Sequence, residues 1–163
     1  MTIKQHEVEN KFDELLPNYN DESPKLYANL LSAVYNTMLI GYMPDYTCLV
    51  TPLFRAYEYY LHRILHDVMK LDTETQNGTN NFSFFSKNSS GLYECNNSNR
   101  HVLSSNQLTY LNNLYTKYNN VRHPYSHWSQ SELETAVITN IEEARNILNE
   151  GISLINEYYN LFK

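Results

Sequence analysis

The sequence predicts an all-α fold. Three observations carry this: apolar residues recur at three- and four-residue steps in five segments, no segment shows convincing strand alternation, and helix start and stop residues bracket the segments. The first segment, about Ile3 to Leu16, is weakly amphipathic and stops at Pro17. The second starts at Ser23, with Pro24 at the first helical position, and runs through Leu30, Val34 and Met38 until Gly41 and Pro44 end it. The third, about Tyr46 to Lys70, is the strongest, with Val50, Leu53, Phe54, Tyr57, Leu61, Ile64, Leu65 and Val68 on one face. The fourth runs from Asn106 through Leu108, Leu111, Leu114, Tyr115, Tyr118 and Val121 and is expected to end near Arg122, because His123 precedes Pro124. The fifth is expected to begin at Thr139, whose spacing to Glu142 makes a capping box, and to continue to Phe162.

Between the third and fourth helices, residues 72–104 turn to Asn, Ser, Thr and Gly, with Phe82, Phe84, Phe85 and Tyr93 as the main large apolar residues. This reads as a long irregular insertion, either functional or folded by tucking its aromatics onto the bundle. With 163 residues and 42% hydrophobic content, the chain suits one domain with a single core. Residues 1–44 are then an N-terminal helical extension.

No stretch approaches roughly 18 uninterrupted apolar residues, and the polar, acidic N-terminus is unlike a secretory signal. A cytoplasmic protein without membrane association is expected. Cys48 and Cys95 fall outside any paired spacing, so both are expected as free thiols. The sequons at Asn77, Asn81, Asn88 and Asn96 follow from an Asn-rich composition. The formal net charge of −6 argues against a face that tracks many phosphates. Most of that excess lies before Tyr46, where Lys4, Lys11 and Lys25 meet seven acids. A compact site gripping one or two phosphates remains compatible with it.

Chemistry concentrates in Val121-Arg122-His123-Pro124-Tyr125-Ser126-His127-Trp128, where a helix is expected to stop. Arg122 offers a fork of donors that stays charged, and His127, five residues beyond, offers proton transfer near neutrality. Together they suit cleavage of a phosphoryl ester. On the third helix Arg55 and Glu58 project from one face, with His62 following; alone, Arg-x-x-Glu also describes a solvated ion pair. His62 and His66 have the i, i+4 spacing of zinc ligands, but no third ligand is evident, so no metal and no cofactor are expected.

The Arg-polar-x-x-x-His pattern at Arg122, His123 and His127 resembles the signature of HEPN domains, helical modules of toxins, CRISPR nucleases and other defence ribonucleases. The order Asp45-Tyr46, Pro52-Leu53-Phe54-Arg55-Ala56-Tyr57-Glu58, Tyr118-Asn119-Asn120-Val121-Arg122-His123 and Ile138-Thr139-Asn140-Ile141-Glu142-Glu143-Ala144 is similar to the C-terminal domain of RnlA/LsoA toxins. The resemblance covers most of the chain from about Ser23. It implies a HEPN-like helical bundle, a homodimer whose two motifs line one cleft, and a metal-independent endoribonuclease acting in a toxin-antitoxin or anti-phage system with a protein antitoxin. It implies Arg122, His127, Arg55 and Glu58 as the catalytic set, Glu58 orienting Arg55 or Arg122. His123, Tyr125 and Trp128 flank the motif as RNA contacts, the two aromatic rings suited to stacking on a splayed base.

Such toxins carry further N-terminal domains, and the Asn-rich insertion has no counterpart in the family pattern. Three other readings stand beside the nuclease. One is a non-catalytic dimerisation module binding an antitoxin or phage protein. Another is a HEPN toxin modified by a nucleotidyltransferase on a Tyr two residues past the motif His, a position where this chain has Ser129. The third is a bundle in which Arg122 and His127 merely cap a helix.

Overall fold

Five α-helices form in the order the apolar spacing predicts, with a short sixth between the fourth and the last, in a computed structural model that describes residues 2–163, the His123 side chain excepted. Helix α1 (Gln5–Leu15) buries Val8 and Phe12, one turn apart. Helix α2 (Pro24–Met38) begins as expected: the Ser23 hydroxyl accepts from the Leu26 amide and Pro24 occupies the first turn. A short 3-10 turn (Thr47–Val50) leads into α3 (Thr51–His62), which widens into π-helical turns over Arg63–Val68. Helix α4 (Ser105–Lys117) opens on a capping box between Ser104 and Gln107 and also widens into π turns, over Tyr118–Arg122.

The chain does not break at Arg122 as expected; α5 (His123–Ser126) continues the same helical course. The reason lies in the wider turn. Pro124 would collide with the carbonyl four residues back in a regular α-helix, and the π turns just before it move that carbonyl away. The last helix, α6 (Ile141–Phe162), is capped by Asn140, whose side chain accepts from the Glu143 amide, and not by the Thr139–Glu142 pair.

The core runs through α1, α2, α3, α4 and α6, with Leu30, Val34, Leu53, Leu61, Ile64, Leu111, Leu114, Leu148 and Ile155 fully buried. Helix α3 packs against α2, α4 and α6, and α6 against α1, α2, α3 and α4. Gly151 leaves room for α3 to seat closely on α6. A β-carbon there would stand 2.5 Å from both δ-carbons of Leu53 and against the Tyr57 hydroxyl. Arg145 ties α6 to the end of α2, donating to the carbonyls of Thr37 (3.0 Å) and Leu39 (2.7 Å) that the helix leaves unpaired.

The insertion is partly folded, its aromatics tucked onto the bundle as one of the two expectations had it, and it adds a short hairpin that the sequence reading did not place. Strands β1 (Phe85–Lys87) and β2 (Tyr93–Cys95) pair antiparallel, Ser86 opposite Glu94, across a turn in which Gly91 takes φ 81°. The outer edge of β2 is covered by α4: Asn112 Oδ1 accepts from the Cys95 amide at 2.8 Å and Thr116 Oγ1 from the Tyr93 amide at 3.0 Å. Phe85 stacks face to face on Tyr115, centroids 3.8 Å apart. Short period-2 strands surrounded by Asn and Ser carry too little alternation to be read from sequence, and the side-chain oxygens that accept from the β2 amides come from a helix 17 to 23 residues further on. Cys95 is buried and Cys48 exposed, both free. Among the described residues no helix is long and apolar enough to cross a membrane.

Candidate active site

Arg122 closes the π-helical segment, and Glu58 lies on α3 opposite it. Their side chains meet, Arg122 Nη2 standing 3.4 Å from Glu58 Oε1. The same carboxylate oxygen accepts from the Tyr118 hydroxyl at 3.2 Å, while the Tyr118 ring lies under the guanidinium, 5.1 Å from its centre. Less than a third of each charged side chain reaches solvent. Burial, and after it the Glu58 charge, pushes the Tyr118 phenol up to about 12, so at neutral pH it remains a donor. Arg122 is thus oriented by an ion pair on one side and a π-face beneath.

The helix ends four residues later. Ser126 Oγ donates to the Arg122 carbonyl at 2.7 Å, and His127 leaves in an extended conformation (φ −131°, ψ 145°), exposed to solvent. Trp128 follows it at 75% exposure. The loop beyond is internally bonded, with the Ser129 amide donating to Thr135 Oγ1 at 3.0 Å. It returns to the bundle at Ile138, whose amide donates to Thr47 Oγ1 and whose carbonyl accepts from the Tyr46 amide, each at 3.0 Å. Asp45 holds that anchor in shape: its carboxylate accepts from the Thr47 amide, and its hydrogen bonds to Thr47 set its pKa below the ordinary value. The Asp45-Tyr46 and Ile138 segments, far apart in sequence, therefore meet.

Other expected site residues are placed differently. Arg55 is exposed and makes no ion pair with Glu58 among the described residues, so Glu58 orients Arg122 and not Arg55. Arg55 lies toward α2, where it lines a groove of about 490 Å³ with Lys25, Asn29, Ser32 and Thr51. Tyr125 is half-buried and its hydroxyl donates to Glu143 at 3.2 Å, joining α5 to α6 beside a cleft of about 610 Å³. The His123 side chain lies outside the described residues. His62 belongs to neither a zinc site nor the open surface: its ring nitrogens bond Thr73 and Asn80 of the insertion. No group of three or more His, Cys, Asp or Glu able to hold a metal ion occurs among the described residues. Tyr118 is the contact that the apolar spacing hides, counted as core although it sits four residues before Arg122 on the same helical face.

The profile of the RNase LS, bacterial toxin DBD domain family (RnlA-toxin DBD) matches residues 4–129. The chain belongs to that family. Among solved structures it is similar to the Escherichia coli toxin LsoA in complex with the T4 phage antitoxin Dmd, with a TM-score of 0.78 and 21% sequence identity. That alignment covers all of this chain and 63% of the LsoA chain, and it speaks to the fold. No curated protein matches the chain.

Proposed function

We propose that this chain is a HEPN-type ribonuclease domain of a bacterial toxin, cutting RNA by attack of the 2′-hydroxyl on the adjacent phosphate. The observation that carries this reading is the Arg122–Glu58 pair seated on Tyr118 at the end of a helix that then presents His127 to solvent, in a chain of an RNase LS toxin family. In the reaction the 2′-oxygen bonds to phosphorus and the bond to the 5′-oxygen breaks, leaving a 2′,3′-cyclic phosphate and a 5′-hydroxyl. One imidazole takes the proton of the 2′-hydroxyl and a second gives a proton to the 5′-oxygen. One His127 per chain supplies only one of these, which is the chemical case for a homodimer with two motifs facing one cleft. Arg122 stabilises the charge gathering on the phosphoryl oxygens, the electrostatic task a metal ion performs in other nucleases. Arg55, beside Lys25, grips a neighbouring phosphate, and Trp128 offers an exposed face for a base.

His127→Ala is expected to abolish cleavage while preserving the fold, because an exposed side chain past the helix end supports no core. An RNA carrying a single 2′-deoxy residue at the cut position should resist cleavage there, and activity should survive a chelator. Sedimentation should show a dimer at micromolar concentration. Cleavage of the deoxy site at the normal rate by pure protein would sink the mechanism.

A second reading is favoured by one observation, the antitoxin-bound state of the LsoA structure. On that reading the domain binds a protein antitoxin and cuts nothing. Absence of cleavage by a pure, folded dimer, with retained binding to a cognate antitoxin, would select it.

A further inference from the structure

The Asn-rich insertion, which the proposed reaction does not use, ends against the residues that the reaction does use. It begins by clamping His62. The ring contacts Thr73 Oγ1 through Nδ1 at 2.7 Å and Asn80 Oδ1 through Nε2 at 2.9 Å. A carboxamide oxygen only accepts, so Nε2 donates to Asn80, while the Thr73 hydroxyl pairs with Nδ1. Thr73 is itself buried, at 3% exposure. A ring held at both nitrogens does not turn, and its face becomes a wall.

Phe82, from the middle of the insertion, packs edge-on against that wall, with centroids 4.9 Å apart. The same ring meets Tyr118 edge-on at 5.6 Å, the two nearly perpendicular at 85°. Tyr118 in turn carries Arg122 on its face and donates to Glu58. Contact therefore runs unbroken from His62 through Phe82 to Tyr118 and the ion pair.

We infer that Tyr118 is a positioning residue for Arg122, and that the insertion, through His62 and Phe82, sets the position of Tyr118. The inference rests on the ribonuclease reading for its consequence in catalysis, while the mechanical coupling stands on the contacts themselves. A guanidinium contributes to a transition state only when its planar fork already faces the developing charge. Glu58 alone constrains one edge of Arg122 and leaves rotation about the ion pair open. The phenol ring beneath removes that freedom, and its hydroxyl holds the carboxylate at the same time. Phe82, packed edge-on to that ring, holds it in place. The insertion is thereby a structural part of the site without touching RNA.

Three substitutions test this without removing a charged site residue. Tyr118→Phe keeps the ring and its volume and deletes the bond to Glu58; Phe82→Ala removes the buttress; Thr73→Val deletes one of the His62 bonds. The readouts are solvent exchange of the Arg122 Nε–H by nitrogen-15 NMR, kcat and KM on an RNA oligonucleotide, and thermal unfolding. Tyr118→Phe and Phe82→Ala should each speed Arg122 exchange several-fold and lower kcat about 10-fold with KM little changed. Phe82→Leu should restore part of both, whereas a merely structural role would move the melting temperature and leave exchange and kcat alone. Unchanged Arg122 exchange in both Tyr118→Phe and Phe82→Ala overturns the inference. If the unmodified protein cleaves no RNA, the ribonuclease reading fails on its own account, and the exchange measurement still decides whether the insertion positions Arg122.

Discussion

Arg55 and Arg122 are the same residue type in two opposite settings, and the difference decides what each can do. Arg122 is fixed by Glu58 and by the Tyr118 face, with most of its side chain out of water. Arg55 stands exposed beside Lys25 in an open groove whose charged lining is cationic, in a chain of net charge −6. A fixed guanidinium acts on the transition state; an open one holds a phosphate in every state alike. Arg122→Lys should therefore lower kcat ~100-fold or more, since an ammonium neither forks to a carboxylate nor lies flat on a phenol. Arg55→Ala should raise KM several-fold, leave kcat nearly unchanged and weaken the salt dependence of RNA binding. Steady-state kinetics at two ionic strengths separate the two. The reverse pattern would exchange the roles assigned to these arginines.

At the level of elements, two features bring the site together: the π turns that let α4 continue past Pro124 into α5, and the close seating of α6 on α3. The first carries the chain to Ser126 before His127 departs, so the His is delivered from the end of a helix and not from a break at Arg122. The second depends on Gly151. In an exposed helix, Gly→Ala gains about 1 kcal/mol from reduced backbone freedom. Here the added methyl would press on both Leu53 methyls and the Tyr57 hydroxyl, in a buried stretch of α3 that runs up to the residue before Glu58. Overpacking of this kind costs about 1–3 kcal/mol. Gly151→Ala should thus destabilise the fold, by about 1 kcal/mol net, in denaturant unfolding. A gain in stability would show that α6 can shift outward without cost.

For the whole molecule, tyrosine brings a set of buried phenols into a core otherwise rich in leucine. Tyr57, Tyr60, Tyr110, Tyr158 and Tyr159 are buried, and Tyr60, Tyr159 and Asp21 form a hydrogen-bonded chain in which Tyr159 donates to the carboxylate at 2.6 Å. Burial is the largest cause of the rise in each phenol, taking Tyr158 to about 12, Tyr57, Tyr60 and Tyr159 higher still, and Tyr110 well above its ordinary value. In the unfolded chain these groups ionise near the ordinary value of about 10. Above that pH the unfolded state therefore binds fewer protons than the native state, and stability falls as pH rises. The contribution is intact below about pH 10 and is lost progressively toward pH 12 and beyond. Alkaline unfolding should be cooperative and should coincide with the rise in tyrosinate absorbance of these buried rings. Their titration well before unfolding would contradict the burial described here.

The sequence by itself determined the all-α class, the five principal helical segments and the residues of the Arg122–His127 motif. These rest on period-3.6 patterning, on a proline-bearing start at Ser23-Pro24 and on side-chain chemistry, all of which are local. Tertiary structure alone decided which partner Glu58 takes, because Arg55 is near it in sequence and Arg122 is near it in space. It decided the end of α4 as well, since a π turn leaves no signature in apolar spacing, and proline read alone predicts a stop. The insertion shows the same limit. Its hairpin is satisfied by Asn112 and Thr116 of α4, and its Phe82 reaches Tyr118 only once α3 and α4 are side by side. A contact between segments that distant is a property of the packed bundle, where side-chain volume and unsatisfied amides choose partners, and composition along the chain carries no record of that choice.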